Sequence, residues 1–303
     1  MKRLAIAGMV VLALACVTCR GLAWAADAGW QPLIVRLEAE GLNRAWLERV
    51  FAGPVEYEPS IMARKVDAMV RKQFEPKPAP TKKTLEASNY KYFLTPAAID
   101  SAVRYIRENR AAFERAQREF GPQPELIAAF LLVETKLGTY LGDRDALSVL
   151  ASLARASDLT QISPFMKTLR GDGDRSTYAD WAARDRAEWA YRELAALLRY
   201  AAAQKQAPGT IPGSIYGAIG ICQFMPSNAL RFGVDGDGNG VLDLFTPADA
   251  IVSVASYLRG YGWKPGMTPA ERDKVVYAYN HSDLYVLAVT TVADRIRARL
   301  GSS

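Results

Sequence analysis

Pro124-Glu125-Leu126-Ile127-Ala128-Ala129-Phe130-Leu131-Leu132-Val133-Glu134-Thr135-Lys136-Leu137 carries apolar residues around the whole circumference of a helix, not along one stripe. A helix with no polar face has to lie inside a shell of other elements. The flanking sequence supplies that shell. Upstream, Gly121-Pro122-Gln123 breaks the chain, and Thr95-Pro96, a cap followed by a first-turn proline, opens a charged amphipathic helix expected to reach Phe120. Further back, Trp30 to Phe51 places Leu33, Leu37, Leu42, Trp46, Leu47 and Val50 at helical spacing and stops at Gly53-Pro54. Downstream, Gly138 and Gly142 end the apolar helix, and Asp145 to Ala156 reads as a short helix. A long one is expected from Thr177 to Ala203, with Trp181, Trp189, Leu194, Leu197 and Leu198 on its apolar side. The fold class is therefore mainly α, with α+β the most that the remaining sequence allows.

The connections are read from their breakers. Phe74 to Thr84 sets Pro76, Pro78 and Pro80 among Lys77, Lys82 and Lys83, and is expected to be an exposed, non-helical link. Asp158 to Ser176 reads as loop, with Gly171-Asp172-Gly173-Asp174 as a turn.

Half of the 303 residues are apolar and 23% are charged, the balance of a chain that buries a real core. Thirty-eight Lys and Arg face 32 Asp and Glu. Lys2, Arg3 and Arg20 fall in a segment expected to be removed, and the remaining 35 against 32 is no nucleic-acid footprint. One histidine, His281, and three cysteines, Cys16, Cys19 and Cys222, are too few for a His/Cys zinc cluster. His281 has no metal or nucleophile partner in sequence and is given no catalytic role.

Residues 1–25 combine a basic start, Met1-Lys2-Arg3, an apolar run from Leu4 to Cys19, and Ala23-Trp24-Ala25, whose small residues suit a signal peptidase. That is an export signal. A run this short is marginal for spanning a bilayer, which takes ~20 apolar residues. A second reading takes Ala13-Leu14-Ala15-Cys16 as a lipoprotein signal ending before Cys16, which would then carry the lipid. Residues 26–303 are thus expected to be exported to the periplasm, soluble or held at the outer membrane through Cys16, with 26–94 a helical and loop subregion ahead of the rest. Cleavage after Ala25 leaves Cys222 as the only thiol and no intramolecular disulfide.

Glu134 is the first residue with chemistry in it. A carboxyl in low dielectric, near the negative end of a helix, holds its proton more tightly and can donate it to a leaving glycosidic oxygen. The competing reading turns Glu134 out to solvent or pairs it with Lys136 or Arg144. Gly213-Ser214-Ile215-Tyr216-Gly217-Ala218-Ile219-Gly220-Ile221-Cys222-Gln223-Phe224-Met225-Pro226-Ser227 is a second informative strip. Its small residues allow close backbone approach, and Gln223 offers a donor and an acceptor beside an aromatic ring, as a sugar groove or a tight packing element would need.

Three blocks, Val133-Glu134-Thr135 ahead of Gly138, Gly217-Ala218-Ile219-Gly220 with Gln223-Phe224-Met225-Pro226-Ser227, and Tyr279-Asn280 with Ser282 and Tyr285, resemble the lytic murein transglycosylase B family in order and separation. The resemblance runs from about Trp30 onward. It implies a lysozyme-like helical core, with Glu134 as single acid/base, Ser214 and Gln223 as active-site polar residues, and Tyr279, Asn280 and Tyr285 lining the glycan groove. It further implies cleavage of the bond between N-acetylmuramic acid and N-acetylglucosamine in peptidoglycan strands, leaving a 1,6-anhydromuramic end, with no cofactor for the chemistry. Leu137, where an aromatic residue is usual, Cys222, where Gly is usual, and the 158–176 stretch depart from the pattern. A hydrolytic muramidase and a non-catalytic peptidoglycan-binding protein are the alternatives.

Asp235-Gly236-Asp237-Gly238-Asn239-Gly240-Val241 matches the start of an EF-hand calcium loop, with the Val241 carbonyl at the seventh place. Thr246 stands at the twelfth place and cannot supply the closing carboxylate. The resembled family closes a longer loop at the fifteenth place, here Asp249, so structural calcium is expected at Asp235, Asp237, Asn239, Val241 and Asp249. The alternative makes Asp249 the acid of a capping box begun by Thr246.

Overall fold

The computed structural model describes residues 28–169 and 171–302, so the expected export signal and Cys16 lie outside the described residues. A 3-10 turn, Ala28–Trp30, leads into α1 (Gln31–Ala39), α2 (Arg44–Phe51), α3 (Pro59–Phe74) and α4 (Lys82–Ala87). A 3-10 stretch, Asn89–Leu94, precedes α5 (Pro96–Glu108), α6 (Arg110–Phe120) and α7 (Pro124–Thr135). The chain continues through α8 (Ala146–Arg155), α9 (Leu159–Ile162), α10 (Gly173–Ala203) and α11 (Pro226–Phe232), and ends in α12 (Pro247–Gly260), α13 (Pro269–Tyr279) and α14 (Asp283–Gly301). The strands among the described residues are β1 (Arg144–Asp145) and β2 (Pro212–Gly213), antiparallel with Arg144 opposite Gly213. The fold is mainly α, as the apolar helix required.

That helix is α7. Every residue from Leu126 to Val133 is buried, and α5, α6, α12 and α14 enclose it. A second core lies where Ile61, Met62, Val66 and Val70 of α3 meet Val149 and Leu153 of α8 and the alanine face of α10, Ala179, Ala182, Ala183 and Ala187. The small side chains bring α3 and α10 close along their length.

Four sequence expectations need correction. Trp30 to Phe51 is two helices, because Gly41 takes a φ of 90° and Asn43 caps α2 by accepting a hydrogen bond from the Trp46 amide. Thr95 to Phe120 is also two, interrupted at Asn109, whose side chain donates to the Tyr105 carbonyl at 3.0 Å. The link from Phe74 becomes helical at Lys82, where Thr81 and Thr84 form a reciprocal capping box. The 158–176 stretch contains α9 and a 3-10 turn, and Gly173 already belongs to α10, capped by Asp172. Asp67 of α3 holds this stretch in place. Buried and 4% exposed, it accepts hydrogen bonds from the Lys167 and Thr168 amides and from the Thr168 hydroxyl at 2.6 Å.

Candidate functional site

The site is built on the last turn of α7. Leu132 and Leu131 carbonyls accept from the Lys136 and Leu137 amides at 3.0 Å each, a Schellman closure with both donors in the left-handed region at φ 51° and 61°. Left-handed backbone is costly for residues with a Cβ, by ~1 kcal/mol or more, so the surroundings hold this turn. Thr135 is the clamp. Its hydroxyl donates to the Ile221 carbonyl at 2.8 Å and accepts from the Gly138 amide at 2.9 Å.

Glu134 stands one residue before that clamp. The residue as a whole is partly exposed, but its carboxyl group is desolvated, which pushes its pKa up to about 7 against the opposing pull of a hydrogen bond from Tyr285. The buried Tyr285 hydroxyl donates to Glu134 Oε1 at 2.5 Å. No salt bridge forms with Arg144, which pairs with Glu58 at 2.8 Å. Burial and the tyrosine are the influences on Glu134, and among the described residues no second carboxylate joins them.

Tyrosine rings frame the carboxyl. Tyr279 stacks on Tyr285 with centroids 6.4 Å apart and rests on Phe130 at 4.6 Å. Its hydroxyl donates to the Cys222 carbonyl at 2.5 Å, which joins the end of α13 to the glycine-rich strip. Gln223 follows at φ 51°, its amide donating to the Gly220 carbonyl at 3.0 Å and to Leu141 at 3.4 Å. Ser214 lies at the other end of the strip and accepts from the Tyr216 and Ala218 amides, so it shapes the turn there. Asn280 is exposed between α13 and α14, and His281 beside it is exposed, its ring against Tyr277. The structure thus gathers Glu134, Tyr279 and Tyr285 directly and ties Gln223 to them through Cys222, while Ser214 and Asn280 sit at the two flanks. Cys222 is buried, and burial pushes its thiol up to about 12.

The sequence reading missed Tyr90. Its ring meets Tyr285 edge-on at 6.4 Å, and its hydroxyl is pushed up first by burial and then by the Glu134 charge. The Tyr90-Lys91-Tyr92-Phe93 cluster, just ahead of the Thr95 cap, was the available signal.

Behind the strip lies the acidic loop. Ile221 donates to the Leu244 carbonyl at 2.8 Å, and Gly220 passes close to Leu244. Asp235, Asp237 and Asp249 place carboxylate oxygens within 4.8 Å of one another. Thr246 makes no side-chain cap. Asp249, fully buried, accepts instead from the Gly236 amide at 2.8 Å and the Asp243 amide at 2.6 Å, so the capping-box alternative fails because its carboxyl faces the loop. Burial raises the Asp249 pKa, and the neighbouring aspartates add to it, whereas three loop amides lower Asp235. A buried carboxylate beside like charges is the chemistry of a cation site. Arg115 of α6 fixes the loop from outside by donating to the Asp235 and Gly236 carbonyls.

A helical shell around one buried helix, with a desolvated carboxyl at that helix's end among aromatic rings, defines a lysozyme-like protein. Residues 25–274 match the Transglycosylase SLT domain family, and the chain belongs to it. The membrane-bound lytic murein transglycosylase B of Escherichia coli (strain K12) is 31% identical over 176 residues, 58% of this chain and 42% of that relative's length. The Escherichia coli lytic transglycosylase SLT35 in complex with bulgecin A superposes with a TM-score of 0.69 at 22% identity, covering 90% of this chain and 94% of that one. The same enzyme in complex with calcium gives 0.67 at 22% identity over the same shares. Among the described residues no helix is long and apolar enough to cross a membrane.

Proposed function

We propose that this protein is a lytic transglycosylase of peptidoglycan, acting on the β-1,4 bond between N-acetylmuramic acid and N-acetylglucosamine with Glu134 as its only acid/base. The observation that carries this reading is a desolvated glutamate carboxyl with a tyrosine hydroxyl as its hydrogen-bond partner and, among the described residues, no second carboxylate acting on it. Protonated Glu134 gives its proton to the glycosidic oxygen as the bond from C1 breaks. The substrate's own 2-acetamido group stabilises the cationic carbon, as in substrate-assisted glycosidases. The muramic C6 hydroxyl then attacks C1 and returns its proton to the Glu134 carboxylate. The product keeps a 1,6-anhydro ring, and the enzyme is regenerated.

Tyr285 fixes the carboxyl's orientation, and Tyr90 packs against the Tyr285 ring. Tyr279, Gln223, Ser214 and Asn280 are the groups that would contact sugar along the groove. Asp235, Asp237 and Asp249, with the Asn239 side chain and the Val241 carbonyl, would hold calcium, which would brace the strip from behind without entering the reaction. The cluster of three carboxylates and the calcium complex of a structural relative support that assignment. Export, with residues 1–25 removed or Cys16 lipidated, follows from the substrate's location, and acyl labelling lost on Cys16→Ser would establish the anchor.

Digestion of purified peptidoglycan tests the reading. The wild-type protein should release soluble muropeptides, and Glu134→Gln should lose nearly all release while folding normally. Retention of activity within about tenfold would remove Glu134 from the acid/base role.

A further inference from the structure

One face of α3 is not used by the reaction. Arg64, Lys65, Arg71 and Lys72 recur at helical spacing on its open side, all exposed or half-buried, while Ile61, Met62, Val66 and Val70 bury the other. This basic stripe touches both segments that bracket Glu134. Lys65 Nζ lies 4.2 Å from the ring centroid of Tyr216, which belongs to the strip ending at Gln223, and 4.3 Å from that of Trp189. Two turns further along, roughly 10 Å at helical rise, Lys72 Nζ donates to the His281 carbonyl at 3.4 Å, next to Asn280. Arg64 and Arg71 lie near enough to Tyr216 to act on its hydroxyl.

Among the described residues these cations form no ion pair. Asp67 is the one acid of α3, and its carboxylate is buried in hydrogen bonds to Lys167 and Thr168. Arg186, which adds to the positive field at Lys65, is itself paired with Asp185. Among the described residues, Arg64, Lys65 and Arg71 make no ion pair or side-chain hydrogen bond. Burial and the Arg186 charge push the Lys65 ammonium down to about 8, as expected of a cation without an acidic neighbour. A stripe of cations flanked by rings, reaching from Tyr216 of the glycine-rich strip to His281 beside Asn280, is complementary to carboxylates displayed at intervals on a sugar strand. Peptidoglycan displays such groups on the stem peptides borne by its muramic residues.

Resting on the reading of Glu134 as the acid of a peptidoglycan-cleaving site, we propose that Arg64, Lys65 and Arg71 form a carboxylate-binding subsite that anchors acidic stem peptides and makes the protein favour strands that carry them. Single exposed ion pairs contribute little, so the effect belongs to the group of three.

The test uses two preparations of soluble strands, one with native stem peptides and one with the stem carboxylates converted to carboxamides. Binding is measured on Glu134→Gln protein, so that no strand is consumed, with and without Arg64→Gln/Arg71→Gln, two exposed positions that should fold normally. Lys65→Met, which keeps the contact with the rings, is the third variant. The native strands should bind about tenfold more tightly than the amidated ones. The double variant should lose that preference while binding amidated strands as before, and Lys65→Met should lose part of it. Equal affinity for the two strands, or an equal loss by the double variant on both, would overturn the subsite. Turnover by the protein with Glu134 intact, followed on both strands, checks the underlying reading separately, because its absence would refute the chemistry whatever the binding shows.

Discussion

At the scale of the residue, the proposed function turns on the environment of Glu134. The sequence made its burial legible, since the eight apolar residues before it leave no polar face, but Tyr285 lies 151 positions away and only folding brings the two together. The raised pKa has a consequence for stability. A carboxyl whose folded pKa of about 7 exceeds its unfolded value, ~4.3, adds stability below the unfolded value that is lost as pH rises through the folded one. Neutral Glu134→Gln should therefore melt progressively higher than wild type as pH rises from about 4.5 to 8, by a few degrees at the upper end. The difference should be flat below that window. Melting curves across pH decide this, and a constant difference would mean the carboxyl is not desolvated. Tyr285→Phe removes a donor that favours the ionised form, so the Glu134 pKa should rise further. Because the reaction needs the protonated acid, the alkaline limb of the kcat/KM profile should move to higher pH, whereas an unmoved limb would separate Tyr285 from the titration.

At the scale of the element, the C-terminus of α7, the glycine-rich strip and the acidic loop form one stack, joined by Thr135 to Ile221 and by Ile221 to Leu244. Gly220 makes the second contact possible. Its φ is 74°, and a Cβ there would stand 2.5 Å from Leu244 Cβ and 2.7 Å from its carbonyl oxygen. Gly220→Ala should cost ~2 kcal/mol or more in stability and lower turnover as well, because the strip carrying Gln223 must shift. Chemical denaturation and specific activity measured together would expose a purely local effect. On the other side of the stack, calcium should raise the melting temperature, by ~2.7 kcal/mol of stabilisation at a hundredfold excess over its dissociation constant. A chelator should reverse that while leaving activity at low temperature, and Asp237→Ala should abolish the shift. An unchanged shift in that variant would place the ion elsewhere. The sequence made the spacing of Asp235, Asp237 and Asn239 legible, but that the Asp249 carboxyl turns to the Gly236 and Asp243 amides of the loop, not back to the helix start, is something spacing does not encode.

At the scale of the whole molecule, the helical class was readable because periodicity and breakers are local. What stayed hidden was non-local or depended on polar caps. Asn109 splits a helix whose charged pattern continues on both sides, and Thr81 with Thr84 starts one among prolines and lysines. The 158–176 stretch has structure because Asp67, about 100 residues earlier, satisfies its amides. The second core, between α3 and α10, accompanies the placement of Lys65 against Tyr216 of the glycine-rich strip, and nothing in the sequence near Lys65 announces that position. On the proposed reading the site holds one acid, Glu134, and leaves the nucleophile to the substrate. The most direct measurement of that claim is the mass of the muropeptides released from purified peptidoglycan by the wild-type protein. Ends lighter by one water than the reducing sugar, from an internal attack by the C6 hydroxyl, are the result this account requires. Reducing muramic ends would show that water, not the substrate's own hydroxyl, reaches C1, and would contradict it.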